Sequence, residues 1–129
     1  MDELSLAVVG IDFPNRDGSN RRFELLQCNP GDPVSLRPEP RNPHDRFAVA
    51  VLSERGHQIG YLTAERAPWI GGRLRSGEEV AAVFQGVAGG AAYIRVAFGG
   101  RAPTLPAAPS GAPIARDDIA DPDGPMWGA

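Results

Sequence analysis

Arg41-Asn42-Pro43-His44-Asp45-Arg46-Phe47-Ala48-Val49-Ala50-Val51-Leu52 is a turn that runs into a strand. The residue before a proline is pushed to extended backbone, which ends anything helical at Asn42. Proline presets φ for the second position of a type I turn, and asparagine suits the first. Asp45 is placed to cap backbone N–H groups as the chain leaves the turn. His44 then projects outward, while Asn42 and Asp45 point at backbone or ligand. From Phe47 to Leu52 there is too little polar alternation for a half-exposed strand. The run suits a strand covered on both faces, central in a sheet or part of a barrel wall.

Upstream, Pro33 to Arg37 reads as a short strand, placed at an edge because prolines crowd it. Leu4 to Ile11 is a first strand, Asn15 to Asn20 a turn around Gly18, and Arg22 to Cys28 a second strand. Downstream, Gly56 marks a hairpin and Gln58 to Leu62 returns from it. Thr63 is the expected N-cap of a helix that carries Ala67, Ile70 and Leu74 on one face. Pro68 belongs to its first turn, Gly71-Gly72 weakens its middle, and Ser76-Gly77 ends it. Glu79 to Phe84 and Ala92 to Phe98 are two more strands with Gly89-Gly90 between them. Five or six short strands with one helix predict a mostly β fold, a small, partly open barrel of OB-like or SH3-like design.

Composition changes near residue 100. Residues 101–129 hold six of the 13 prolines and the acids Asp117, Asp118, Asp121 and Asp123. This Pro/Ala/Gly-rich segment is expected to be a disordered acidic tail behind a barrel domain of residues 1–100. Met126-Trp127 at its end has the form of a short docking peptide. The 129 residues suffice for one domain with its own core. The lone cysteine, Cys28, can form neither an internal disulfide nor a metal cluster, which fits a reducing compartment. The acidic start Met1-Asp2-Glu3-Leu4 lacks the features of a signal peptide, and no apolar run reaches the roughly 18 residues of a membrane span. A soluble cytoplasmic protein with no membrane contact is expected.

The net charge of -3 argues against a strongly basic nucleic-acid binder. All 13 basic residues are nevertheless arginine, the residue that stacks on bases and grips phosphates or carboxylates with two parallel bonds. A GC-rich genome would also encode such a composition. Catalytic signatures are missing: there is no GxxxxGK[ST], HExxH or CxxC. A Cys28-His44-Asp45 nucleophilic set and a metal site from His44, Asp45 and His57 are conceivable, but no spacing calls for either. His57 reads more simply as a hairpin-tip residue beside Gly56. No catalytic residue, metal or cofactor is expected.

The order of motifs is Val8-Val9-Gly10-Ile11, then Leu36 to Val51 with Arg41-Asn42-Pro43-His44-Asp45 inside it, then Gly56, Ile59-Gly60-Tyr61-Leu62 and the helix at Ala67. That order resembles the HIRAN domain family over roughly residues 5–98. The resemblance implies a six-stranded OB-like barrel with flanking helices. It also implies a non-catalytic module that grips single-stranded DNA at a free 3′ end, in DNA repair or processing. The turn Asn and Asp of the family match Asn42 and Asp45, its turn aromatic falls on His44, and the residue after the strand glycine is Tyr61. A DNA-binding member carries an Arg-Tyr pair where this chain has Asp12-Phe13. Phe13 keeps the ring, while Asp12 sets a repulsion where a phosphate contact would be. Arg41 or Arg46 is then the expected cation, and Tyr93 the aromatic of the last strand.

Such a site has its own physical logic. A 3′-hydroxyl is a donor that suits a carboxylate such as Asp45. Bases stack on flat side chains, each worth about 1–3 kcal/mol. Few phosphates need be touched, so net basicity is not required and the salt dependence should be shallow. The competing readings are an adaptor that docks a helicase or nuclease through the tail and Trp127, and a metal-dependent hydrolase using His44, Asp45 and His57.

Overall fold

The computed structural model describes residues 3–105. Its elements are β1 (Glu3–Val9), α1 (Arg21–Leu26), β2 (Pro33–Pro38), β3 (Val49–Leu52), β4 (Gln58–Leu62), α2 (Ala67–Arg75), β5 (Val80–Ala88) and β6 (Ala91–Phe98). Of the segment expected as a tail, residues 101–105 are described, and Thr104 donates to the Glu3 carboxylate from its N–H at 2.9 Å and its hydroxyl at 3.1 Å. Residues 106–129, with the four acids and Met126-Trp127, lie outside the described residues. No helix among the described residues is long and apolar enough to cross a membrane.

The six strands close into an antiparallel barrel in the order β1-β4-β3-β2-β5-β6, with β6 returning to β1. The barrel is closed where a partly open one was expected. β2 is accordingly no edge strand: it pairs β3 through Ser35–Pro38 and β5 through Pro33 and Val34. Its prolines stand at the two ends of the strand, where missing ladder donors cost least. All four β3 residues are buried, as their lack of alternation predicted. Val8, Val51, Ile59, Ile94 and Val96 have no exposed surface and fill the interior. Each such side chain contributes about 2 kcal/mol by leaving water.

The largest correction concerns residues 22–28, which form no strand. Residues 21–26 are the helix α1, capped by Asn20, whose side chain accepts from the Phe23 N–H at 2.9 Å. Its inward positions are Arg21, Glu24 and Leu25, with Cys28 packed beyond them. That is helical spacing, but two of its members are charged, so an apolar pattern misses it. Glu24 is buried because Ser53 donates to it at 2.6 Å and Arg55 through two nitrogens at 3.2 Å. The apolar Phe23 and Leu26 face outward instead, 61% and 84% exposed.

Burial pushes the Glu24 carboxyl up, but the bonds from Ser53 and Arg55 outweigh it and hold it below its ordinary 4.5. A depressed folded value stabilises the native state above the unfolded value, and that stability disappears as pH falls through the folded one. Stability should therefore decline below about pH 4.5. Glu24→Gln should cost about 2 kcal/mol at pH 7 and flatten the acid limb of a urea-midpoint profile. An unchanged profile would contradict the assignment.

The second helix begins at Ala67 and not directly at Thr63. The Thr63 Oγ1 still accepts from Arg66 N at 3.3 Å, one turn ahead of the helix. Pro68 lies in the first turn and Ser76 is the C-cap, both as expected. Ile70 is fully buried, and Trp69 packs on Phe98 of β6 with ring centroids 5.6 Å apart. The chain turn at 15–20 is held by Gly18 N donating to Asn15 O at 3.1 Å, and the hairpin at Gly56 by Ser53 N donating to His57 O at 2.8 Å.

Candidate nucleic-acid interface

Strand register builds an outer wall. Arg37 pairs Ala50, Ala50 pairs Tyr61, and Tyr61 pairs Val9. Side chains alternate across a strand, so these four form one row outside the barrel. Leu52 and Gln58 belong to the next row. Ala50, the smallest member, is fully covered, and Arg37 and Tyr61 on either side of it line a groove. Two segments rise beside it: 10–20, which follows β1, and 39–48, which joins β2 to β3. Together they enclose this groove, of about 840 Å³.

The turn forms as its sequence predicts. The Asn42 Oδ1 accepts from His44 N at 2.8 Å and Asp45 N at 3.1 Å, and Asp45 Oδ1 accepts from Phe47 N at 2.8 Å. The Asn42 amide donates to Glu39 Oε1 at 3.0 Å, and the Tyr61 hydroxyl donates to the same oxygen at 2.8 Å. Glu39 N in turn donates to Ala48 O at 2.9 Å. Glu39 thus ties the loop to β4. The strand itself starts at Val49, two residues after Phe47, because the Asp45 cap holds Phe47 N and the Asp45 carbonyl holds Ala48 N.

On the opposite bank, Arg21 is only 7% exposed yet lines the groove. Its Nε donates to Asn15 Oδ1 and its Nη1 to the Gly10 carbonyl, both at 2.7 Å. Its guanidinium lies 5.4 Å from the Tyr61 ring centroid. Gly10 has φ 74, and a Cβ there would meet Arg21 Nη1 at 3.4 Å, so glycine makes room for the cation. Asp12 pairs with Arg22 and does not line the groove. The repulsion foreseen at Asp12 is therefore aimed elsewhere and partly neutralised.

Of the residues singled out in the sequence, Phe13, Arg41, Asn42, His44 and Tyr61 line the groove. Asp45 supports the turn from behind. Arg46 stacks on Phe47, 5.0 Å from its centroid, outside the groove lining. Tyr93 stands on the outer wall opposite Ala7 and Gly86, across β1 from Tyr61 and also outside that lining. Sequence reasoning missed Asn15, Arg16, Arg21, Arg37 and Glu39, which do line it. The available signal for Arg21 was Asn20 as an N-cap followed by the 21, 24, 25, 28 spacing.

Burial and the nearby Glu24 and Asp32 push the Cys28 thiol up to about 11, so it is protonated at neutral pH. Among the described residues, no three His, Cys, Asp or Glu side chains gather as a metal site, so His44, Asp45 and His57 form none.

A closed six-stranded barrel with one polar, arginine-lined groove on its wall defines a small β-barrel binding module. The chain belongs to the HIRAN domain family, whose model matches residues 4–93. The fold is shared with the crystal structure of the HIRAN domain of human HLTF, 22% identical over 75% of this chain and 74% of that one, TM-score 0.60. The same domain in its DNA-bound conformation, solved by NMR, gives 22%, 75%, 74% and a TM-score of 0.52. A crystal structure of a protein from Lactobacillus plantarum gives 17% identity over 76% and 91% of the two chains, TM-score 0.63. No curated protein matches the chain.

Proposed function

We propose that the groove binds single-stranded DNA without catalysing a reaction, and that it receives a free 3′ end in a repair or processing context. One observation carries this reading. On a chain of net charge -3, the groove collects four arginines, Arg16, Arg21, Arg37 and Arg41, against only Asp17 and Glu39. It sets them beside the rings of Phe13, His44 and Tyr61. Arginine with flat side chains is the equipment for holding unpaired bases and their backbone. Family membership and the DNA-bound HLTF domain support the same assignment. Asn42 and the Glu39 carboxylate are the groove's hydrogen-bonding groups for a terminal hydroxyl, while Asp45 holds the turn that carries them.

Fluorescence anisotropy with oligonucleotides ending in a 3′-hydroxyl or a 3′-phosphate tests this reading. The hydroxyl end should bind more tightly, and negligible binding of both would sink the proposal. Phe13 is 66% exposed, so Phe13→Ala should leave the urea midpoint unchanged. It should weaken binding about tenfold, the loss of one stacked base.

A second reading, docking of a helicase or nuclease partner, is favoured by Phe23 and Leu26, which face away from the core on α1 and do not line the groove. Paired serine substitutions there should abolish partner capture and spare DNA binding. Unchanged capture would end this reading.

A further inference from the structure

We propose that Arg21 is the phosphate anchor of the groove, holding one backbone phosphate of the bound strand on the free edge of its guanidinium. The inference rests on the groove being a nucleic-acid site and adds the residue that the strand's charge meets.

A cation this deeply buried normally has a carboxylate beside it, because removing its water is costly. Arg21 has none: it takes part in no ion pair among the described residues. Its partners are the neutral oxygens of Asn15 and Gly10 and the face of Tyr61. These hold the guanidinium in place without cancelling its charge. The adjacent Asp12 is engaged by Arg22. The two acids of the groove are likewise occupied by other donors, Asp17 by Ser19 and Glu39 by Tyr61 and Asn42. Glu39 Oε2 stands 3.6 Å from Arg37, which moderates that arginine and leaves Arg21 alone.

An arginine has five N–H donors, and among the described residues only Nε and Nη1 of Arg21 bond to protein. The Nη2 edge remains for a ligand. A guanidinium already held in position loses little freedom when a phosphate arrives, and its fork matches two phosphate oxygens. Asn15 completes the arrangement. Its amide donates to Gln58 O at 2.9 Å, locking the side-chain carbonyl toward Arg21.

The test compares the wild type with Arg21→Gln, Arg21→Lys and Arg75→Gln. Arg75 is an exposed arginine of α2 outside the groove lining, so its loss matches the charge change without touching the site. Binding of a short oligothymidylate is measured across a salt series. Arg21→Gln should weaken binding on the order of tenfold and make the log-log salt slope shallower by about 0.7, the value for one phosphate on a single strand. Arg21→Lys should keep the slope and lose part of the affinity, and Arg75→Gln should change neither. In parallel, inorganic phosphate is titrated into the unaltered protein while the Arg21 Nε–H signal is followed by NMR. It should shift and saturate.

A full slope in Arg21→Gln, with DNA still bound, overturns the anchor and leaves the DNA reading standing. A phosphate-dependent shift without any DNA binding does the reverse. If Arg21→Gln fails to fold, Arg21→Lys and the phosphate titration decide, and an unmoved Nε–H signal counts against the proposal.

Discussion

Gly60→Ala should lower folding stability by about 3 kcal/mol, the upper end for overpacking a filled interior. A Cβ at Gly60 would lie 2.5 Å from the Val9 carbonyl oxygen and 2.6 Å from Val8 Cγ1. The first of these atoms is backbone and cannot swing aside. β1 and β4 would have to separate, and only two residue pairs, Val8 with Leu62 and Val9 with Tyr61, hold that seam. The damage reaches the groove as well, since Phe13 follows β1 and Tyr61 lies on β4. Urea denaturation should show a lower midpoint, and hydrogen exchange should show lost protection at the Val8–Val9 seam. A midpoint equal to that of the unaltered protein would mean the strands are not as close as described.

The second large effect is expected at Asn42. Asn42→Ala removes the acceptor of His44 N and Asp45 N and the donor to Glu39 in one step. Each bond contributes about 1 kcal/mol, and the loop is half-exposed, so a loss of about 2 kcal/mol is expected. DNA affinity should fall more than tenfold, because His44 and Arg41 lose their fixed positions. Asn42→Asp separates the two roles. It keeps the Oδ1 acceptor for the turn but sets a second carboxylate where the amide stood, 3.0 Å from Glu39 Oε1. Stability should suffer less than in the alanine variant, and binding should suffer at least as much through the added negative charge. Equal binding by Asn42→Asp and the unaltered protein would remove Asn42 and Glu39 from the site.

Much of the barrel is legible in single residues. The unbroken apolar run of β3 announces burial on both faces, and it is buried on both faces. Asn42-Pro43-His44-Asp45 specifies its own turn, since every bond in it spans three residues or fewer. Gly60 and Tyr61 stand out by family resemblance, and the tight approach to Val9 shows why that glycine admits no side chain. The helix α1 was not legible, because its inward face includes Arg21 and Glu24. Charged residues are counted as exposed until a partner is known. For Glu24 the partners are Ser53 and Arg55, some thirty positions later in the chain.

The same distinction governs the groove. The segment Arg41 to Asp45 was determined by local rules: proline geometry, an asparagine turn and an aspartate cap. What only the tertiary structure decided is which charge faces the groove. Asp12 turns aside to Arg22, Asp45 serves the turn, Glu39 joins Tyr61 across 22 positions, and Arg21 enters from a helix that no apolar pattern reveals. Backbone turns are set by neighbours in sequence. The burial and pairing of a charge are set by neighbours in space, and the closure of the barrel is what brings those together.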